Sequence, residues 1–125
     1  MKTLCASHCI VFEPDLACRR ILESALANLY WTVAVVESLS DVKAGLPGPW
    51  ATLLAIESGD PAALDAVREI RSAAANVVIC VLLDEHAPPY DQHVTHAGAD
   101  SVFAKPVHEK EIVEALVAGF MARRP

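Results

Sequence analysis

The stretch AGADSVFAKP, residues 97–106, decides the fold of this chain. Gly98 is typical of the residue that ends a helix, and residues 101–104 have the apolar, branched composition of a short strand. Lys105-Pro106 ends that strand, and a further helix is predicted after it. A helix, a strand and a helix in this order indicate a parallel sheet whose strands are joined by helices.

The same alternation of strand and helix continues outward to both ends of the chain. Short apolar runs predict strands, and apolar residues spaced three and four apart predict helices. The predicted strands are 8–12, 32–36, 51–56, 77–83 and 101–104. The predicted helices contain residues 18–29, 38–46, 61–71 after an Asp60 cap, a short segment ending near Gly98, and a last helix after His108 with Glu111 in a capping box. With right-handed crossovers, this order predicts an α/β fold, a flavodoxin-like, doubly wound five-stranded parallel sheet in the order 2-1-3-4-5 with five helices.

The composition limits the kinds of protein that this chain can be. Its 125 residues suffice for one compact domain, and 54% of them are apolar. Ten basic and sixteen acidic residues give a formal net charge of −6 without a basic stripe, so we expect no direct contact with nucleic acid. Because no apolar run is long enough to span a membrane and no secretory leader is evident, we expect a cytoplasmic protein without membrane contact.

The four cysteines do not have the spacing of a zinc site. Cys18 and Cys80 fall in a predicted helix and a predicted strand, and we interpret both as small core residues. Cys5, His8 and Cys9 would bind a metal only together with a distant ligand. No glycine-rich phosphate loop follows the first strand, so a nucleotide site has little support.

Three stretches make the chain similar to a known family. They are RRIL (19–22) with LYW (29–31), LLAI (53–56) with REIR (68–71), and AGAD (97–100) with FAKP (103–106). Together they resemble the receiver domain of two-component response regulators over nearly the whole chain, and Lys105-Pro106 is the most specific match. The resemblance implies that residues 1–125 form one receiver-like domain, which could be the N-terminal part of a longer regulator.

The resemblance also implies a phosphoryl site at the carboxyl ends of the strands. A working receiver has two acids after strand 1 and one acid at the end of strand 3 that bind Mg²⁺, and the strand-3 acid accepts the phosphoryl group. A hydroxyl after strand 4, a lysine after strand 5 and an aromatic residue in strand 5 complete such a site. The matching positions in this sequence are Glu13, Pro14, Ala55, Leu83, Lys105 and Val102.

Most of these positions lack the group that the chemistry needs. The methyl group of Ala55 can neither bind Mg²⁺ nor accept a phosphoryl group, Pro14 has no ligand atom, and Leu83 has no hydroxyl. Asp15 either supplies the second acid after a slip of one residue or caps the first helix. Glu13 and Asp15 are therefore the only metal candidates at this site, and we predict no metal, no cofactor and no catalytic residue. The chain is predicted to be a pseudo-receiver that is not phosphorylated and is not an enzyme.

Lys105 is the one residue that matches its role, and its charge needs either a partner or water. If the site has one fixed state, Glu57, Glu13 or Asp84 pairs with this lysine. Alternatively, those acids are solvated and the lysine extends to water. The resemblance also leads us to expect a cis peptide bond between Lys105 and Pro106.

The last helix carries an apolar stripe that is wider than one sheet face needs, so it serves either the core or a partner. The candidate partner or dimer face consists of Val102, Phe103, Ile112, Leu116 and Phe120. The predicted function is signalling through protein partners in a bacterial two-component or related pathway, the partners being an output domain, a kinase, another regulator or a second copy. Two alternatives remain open, namely phosphorylation at a non-standard acid and a small-molecule sensor whose emptied pocket is lined by Ala55 and Leu83.

Overall fold

A computed structural model describes residues 8–46 and 48–123. Its five strands form one parallel sheet in the order β2-β1-β3-β4-β5. The strands are β1 Cys9–Phe12, β2 Val33–Val36, β3 Ala51–Ile56, β4 Val78–Leu83 and β5 Ser101–Ala104. The helices are α1 Leu16–Asn28, α2 Leu39–Ala44, α3 Pro61–Ala73, α4 Tyr90–Ala97 and α5 Glu109–Arg123. The predicted fold class, strand order and alternation of strands and helices are confirmed.

The helices cover both faces of the sheet, and each face has its own core. α1 and α5 pack on one face, and α2, α3 and α4 pack on the other. The two central strands, β3 and β4, are buried along their whole length. This burial explains why their sequences, ATLLAI and VICVLL, are apolar without alternation. None of the helices in the two described ranges is long and apolar enough to cross a bilayer.

Side chains outside the helices determine where α2 and α3 begin. The Asp60 carboxylate accepts a hydrogen bond from the backbone N–H of Ala62 at 2.9 Å, and Pro61 is the first residue of α3, as the sequence predicts. Ser38 caps α2 from outside the helix. α2 therefore begins one residue later than the predicted helix 38–46, and it ends at Ala44, before its C-cap Gly45.

The start of α5 is fixed by two carboxylates. Oε1 of Glu111 accepts a hydrogen bond from the backbone N–H of His108 at 3.3 Å, which forms the predicted capping box. Glu109 accepts hydrogen bonds from the Ser24 hydroxyl at 2.7 Å and from the side-chain amide of Asn28, both on α1. The two helices on this face of the sheet are therefore tied to each other.

Arg71 fastens the amino ends of β4 and β5. Its guanidinium donates hydrogen bonds to the carbonyl oxygens of Val77 at 2.7 Å and Gly98 at 2.8 Å, and it lies 2.9 Å from the Asp100 carboxylate. Arg123, the last residue of α5, pairs with the same carboxylate at 2.7 Å. Gly98 has a φ of +132°, and a Cβ there would lie 2.9 Å from the Cβ of Arg71, so backbone and packing both require glycine.

Aromatic rings form a cluster at the amino end of the sheet, which the sequence did not lead us to expect. The ring of His8 stacks on Trp50 with centroids 4.3 Å apart, while Trp31 and Phe120 contact Trp50 at 5.3 and 4.9 Å. Of the metal set considered from the sequence, Cys5 lies outside the described residues. Among residues 8–46 and 48–123, no three potential metal ligands come together.

Thr52, on β3, has a fully buried hydroxyl that lacks a hydrogen-bond partner in the part of the chain that the structure describes. We expect Thr52→Val to raise the free energy of unfolding by about 1 kcal/mol, because valine keeps the shape of the side chain and removes a desolvated hydroxyl. Equilibrium unfolding in urea measures the change. Thr32→Val is the matched control, since the Thr32 hydroxyl accepts a hydrogen bond from the backbone N–H of His8 at 3.1 Å. Equal stabilisation by both substitutions would contradict this explanation.

Candidate functional site

The carboxyl ends of the strands surround a cleft of about 480 Å³. Of the predicted pocket residues, those that line it are Glu13, Pro14, Asp15, Ala55, Glu57, Asp84 and Lys105. Phe12, Ala55 and Ile56 contribute apolar surface, and Lys105 is the only basic residue among the lining residues. Most of the residues predicted for this pocket therefore line one cleft, although the sequence left their pairing open.

Glu13 and Lys105 form a close ion pair across this cleft. The lysine ammonium lies 2.7 Å from Oε1 of Glu13, whose side chain is only 1% exposed, whereas the lysine side chain is 24% exposed. Oε2 of Glu13 accepts a hydrogen bond from the backbone N–H of Asp15 at 3.0 Å. Oε1 faces the lysine ammonium, and the buried thiol of Cys18 also lies beside this carboxylate. Of the three acids considered as partners of Lys105, Glu13 makes the contact.

Asp84 has a different role, because it ties two loops together. Its Oδ1 accepts hydrogen bonds from the backbone N–H groups of Ser58 at 2.8 Å and Glu85 at 3.1 Å. The Ser58 hydroxyl in turn donates to the carbonyl oxygen of Glu85 at 2.6 Å. The hydrogen bonds from Ser58 hold the pKa of the Asp84 carboxyl below its ordinary value. Glu57 is exposed and forms no ion pair within residues 8–46 and 48–123.

Asp15 takes the capping role that was one of its two interpretations. Its Oδ1 accepts a hydrogen bond from the backbone N–H of Ala17 at 3.2 Å, at the start of α1. Its own backbone N–H is used by Glu13. Pro14, between the two acids, is exposed and contributes no ligand atom.

Leu83 corrects one part of the predicted pocket. Its side chain is fully buried in the core under α3 and α4, and it is not among the residues that line the cleft. As the last residue of β4, it pairs with Ile56 on one side and Ala104 on the other. Because the Leu83 side chain packs in the core, the lack of a hydroxyl at this position does not widen the pocket. Of Ala55 and Leu83, only Ala55 lines the cleft.

The peptide bond between Lys105 and Pro106 is cis, as expected from the resemblance. A second cis bond joins Pro88 to Pro89, and the sequence analysis did not predict it.

Cys18 is a site residue that sequence reasoning assigned only to the core. Its thiol is buried under the first turn of α1, and burial together with the neighbouring Glu13 carboxylate raises its pKa to about 12. Its position three residues after the Asp15 cap, on the inward side of a helix that starts at the cleft, was the available signal. Cys18 therefore stands beside the ion pair as a protonated, inert group.

Tyr90 is a second residue whose role the sequence did not reveal. Its ring is buried, and its hydroxyl donates a hydrogen bond to the carbonyl oxygen of Asp60 at 2.6 Å. The first residue of α4 is thereby joined to the cap of α3. Nearby, Nδ1 of His86 lies 2.8 Å from the carboxylate of Asp91, and Asp91 also accepts from the backbone N–H of Ala87. The loop between β4 and α4 is fastened at both of these points.

The predicted partner face needs a correction at two positions. Ile112 and Leu116 are fully buried against the sheet, so they belong to the core and their assignment to a surface is wrong. The reason is that both lie on the side of α5 that faces the sheet. Val102, Phe103 and Phe120 are partly buried, and their part in a contact stays a prediction.

Comparisons with solved structures identify the fold. HP1043, an orphan response regulator of H. pylori, matches with a TM-score of 0.76 and 22% identity over 90% of this chain and 95% of that chain. An atypical orphan response regulator, described with a new phosphorylation-independent regulatory mechanism, matches with 0.78 and 22% over 90% and 94%. A putative pilus assembly-related protein of Burkholderia pseudomallei matches with 0.80 and 12% over 100% and 97%. No model of a known family and no curated protein sequence matches the chain. At these identities the likeness establishes the receiver fold, and the activity has to be argued from the site.

Removing the lysine tests how much the buried charge depends on it. We expect Lys105→Met to lower the free energy of unfolding by about 3 kcal/mol, because Glu13 is then left buried without a countercharge. Glu13→Gln combined with Lys105→Met should recover most of this loss, as measured by urea unfolding. The control is Lys43→Met, which breaks the exposed pair with Glu69 and should cost under about 1 kcal/mol. Equal losses from the two lysine substitutions would contradict a special role for the pair.

The reactivity of Cys18 tests its protonation state. With a pKa of about 12, the thiol holds far less thiolate at pH 8 than an ordinary cysteine, and thiolate is the reactive form. We expect alkylation of Cys18 by iodoacetamide at pH 8 to be slower by about a thousandfold in the folded protein than in urea. Peptide mapping by mass spectrometry follows this residue alone. Alkylation at comparable rates in both states would show that the thiol is neither buried nor suppressed.

Proposed function

We propose that this domain is a receiver-like signalling module that works without phosphorylation, through contacts with other proteins in a two-component or related bacterial pathway. The observation that carries the proposal is Ala55, which stands in the cleft where the receiver fold has its nucleophile, beside an ion pair between Glu13 and Lys105. The methyl group offers no oxygen to a phosphoryl group. Glu13 and Lys105, which match charged positions of a receiver, are paired with each other.

The surroundings of Ala55 are also unsuited to phosphoryl transfer. A phosphoryl group has to be held by cations and hydrogen-bond donors while it is transferred. Lys105 would have to leave Glu13 to do so, and the buried carboxylate of Glu13 would then have no countercharge. Pro14 cannot add a second metal ligand, and Leu83 points into the core without a hydroxyl. Phosphorylation at a non-standard acid is disfavoured as well, since Asp84 is occupied by two backbone N–H groups.

The loops around the cleft support a single arrangement of the domain. Asp84 and Ser58 join the loop after β3 to the loop after β4, and the Tyr90 hydroxyl joins α4 to the start of α3. All of these contacts form without any added group. A domain whose loops are tied in this way presents its surface to a partner permanently, whereas a phosphate switch needs a second state of nearly equal energy.

The partners that fit such a module are proteins: an output domain, a kinase or another regulator. Support comes from the neighbours, because two of them are orphan response regulators and one of these is described with a phosphorylation-independent mechanism. An enzyme of its own is disfavoured, since the cleft combines no nucleophile with a base among the described residues. We place the module in the cytoplasm, where such partners are found.

A small-molecule sensor is the second candidate, and the cleft of about 480 Å³ is the observation in its favour. An anionic ligand is disfavoured because Lys105 is neutralised by Glu13, and because Asp15, Glu57 and Asp84 also face the cleft. An apolar ligand would find the methyl group of Ala55 in the floor. A rise in the unfolding temperature with an apolar ligand would favour this second function.

Incubation with a small phosphodonor and Mg²⁺ tests the proposal directly. We expect intact mass spectrometry to show no phosphoryl adduct, because Ala55 cannot accept the group. A receiver with an intact aspartate, treated in parallel, shows that the donor is active. A stable adduct on any residue of the cleft would overturn the proposal.

Hydrogen exchange under the same conditions tests the fixed arrangement. We expect the loops that contain Ser58 and Tyr90 to exchange at the same rate with and without Mg²⁺ and beryllofluoride, which imitates a bound phosphoryl group. A change in protection of either loop would show that the site still senses an anion, even without a covalent adduct.

A further inference from the structure

The amino end of the sheet has a cavity of its own, of about 790 Å³, which is larger than the cleft at the carboxyl end. Its walls are the turn before β3 (48–50), the end of α3 with the loop to β4 (73–77), and Phe120 and Arg123 on α5. Because β3 and β4 are parallel, the segments that precede them meet at one edge of the sheet, opposite to the strand end that carries Ala55. The volume lies within the range of about 300–1,000 Å³ that is usual for small-molecule sites. We call this space the amino-end cavity.

The charges that line this cavity are the reverse of those in the cleft. Five acidic residues and one lysine line the cleft. Among the described residues that line the amino-end cavity, none is acidic, and the guanidinium of Arg123 is the one charged group. Asn76 adds a side-chain amide, and the remaining lining residues are glycine, proline, alanine, valine and aromatic residues. In a chain with a formal net charge of −6, this lining favours an anion over a cation.

Arg123 keeps unused hydrogen-bond donors at this cavity. Its Nε donates to Oδ1 of Asp100 at 2.8 Å, its Nη2 lies 2.7 Å from the same oxygen, and its Nη1 donates to the carbonyl oxygen of Ala75 at 2.8 Å. A guanidinium has five N–H groups, so two of them have no acceptor among residues 8–46 and 48–123. The side-chain amide of Asn76 also has no hydrogen bond within these ranges. Two residues that line one cavity therefore offer donors without acceptors.

The positive charge of Arg123 is only partly compensated by its surroundings. Asp100 lies between Arg123 and Arg71, whose guanidinium is 2.9 Å from the other carboxylate oxygen, so one carboxylate serves two guanidinium groups. Three carbonyl oxygens at and after the end of α3 would repel an anion, but Arg71 donates to all of them at 2.7–3.3 Å. The Arg123 side chain is 29% exposed, and water screens a charge there less than at the open surface.

We propose that the amino-end cavity binds a small aromatic carboxylate. The two oxygens of a carboxylate match the planar guanidinium of Arg123, and Asn76 donates to the same group. The ring of the ligand packs against Trp50, which is 41% exposed, and against the alanines of residues 73–75. A phosphoryl dianion fits less well, because one arginine and one amide supply too few donors for its three oxygens. This site adds a ligand to the proposed signalling module, and it does not rest on the state of Ala55.

An NMR titration of the 125-residue protein, labelled with ¹⁵N, tests the proposal with 2-naphthoate as the probe. We expect the signals of the Trp50 indole N–H and the Asn76 side-chain amide to shift and saturate, with a dissociation constant of about 1 mM or lower. 2-Naphthamide has the same ring system without the charge, and it should bind at least about tenfold more weakly. No saturable shift at these two residues, or equal affinity for the amide, overturns the proposal.

Two substitutions test where the probe binds. Arg123→Met removes the charge, and Ala73→Phe fills the cavity but keeps both arginines; each should weaken the binding of 2-naphthoate by about tenfold or more. Arg68→Met is the matched control, since Arg68 pairs with Asp65 on the exposed side of α3 and does not line the cavity, and it should leave the affinity unchanged. Circular dichroism shows whether the variants are folded, and Ala73→Phe decides the matter if Arg123→Met is not. Unchanged affinity in a folded variant of either kind overturns the proposal.

The outcomes of these titrations are independent of the phosphodonor experiment. The amino-end cavity and the cleft lie at opposite ends of the sheet and share no lining residue. A failure of 2-naphthoate to bind leaves the inertness of Ala55 intact, and a phosphoryl adduct in the cleft leaves the site at Arg123 intact.

Discussion

The buried carboxylate of Glu13 is the constraint around which the carboxyl end of the sheet is arranged. Its side chain is 1% exposed, and a charge in that position is tolerated only with a countercharge and hydrogen bonds. Lys105 supplies the countercharge from the other side of the cleft, and the backbone N–H of Asp15 supplies a hydrogen bond. Ala55, which lines the same cleft, contributes only a methyl group there. A second acid at position 55 would add an uncompensated negative charge to this cleft.

Three other polar side chains at this end of the sheet form hydrogen bonds with neighbouring residues of the protein. Asp84 accepts two backbone N–H groups, Ser58 donates to the carbonyl oxygen of Glu85, and Tyr90 donates to that of Asp60. In a site that binds a phosphoryl group, such donors form hydrogen bonds with the oxygens of that group. Here the protein itself provides their acceptors. The polar residues therefore hold the loops together, and they leave no set of donors aimed at one empty point.

Sequence reasoning was strongest where apolar runs decide the structure. β3 and β4 are buried on both faces, and the apolar runs ATLLAI and VICVLL predicted both as strands. The strand order was predicted from the repeated strand–helix units with right-handed crossovers. The cleft residues were also found, since strand ends meet at one edge of a parallel sheet. The partner of Lys105 could not be chosen, because three acids follow strands at that edge and only the tertiary structure shows which one is desolvated. The outward face of α5 could not be chosen either, since eight consecutive non-polar residues give no periodicity to show which of them face the sheet. Leu116, within this run, was assigned to a surface for this reason, and Ile112 was assigned with it. Both are buried, whereas Val117 and Met121 are exposed.

A switch needs two states that a ligand distinguishes, and the shift between them is limited by the difference in affinity. The groups that would distinguish a phosphorylated receiver from an unphosphorylated one are absent or engaged here, since position 55 has no carboxylate and Lys105 already has a partner. Under the proposed function, a phosphoryl group at this end of the sheet does not bias the far surfaces. In the proposed module, regulation then depends on which proteins occupy its surfaces and at what concentration.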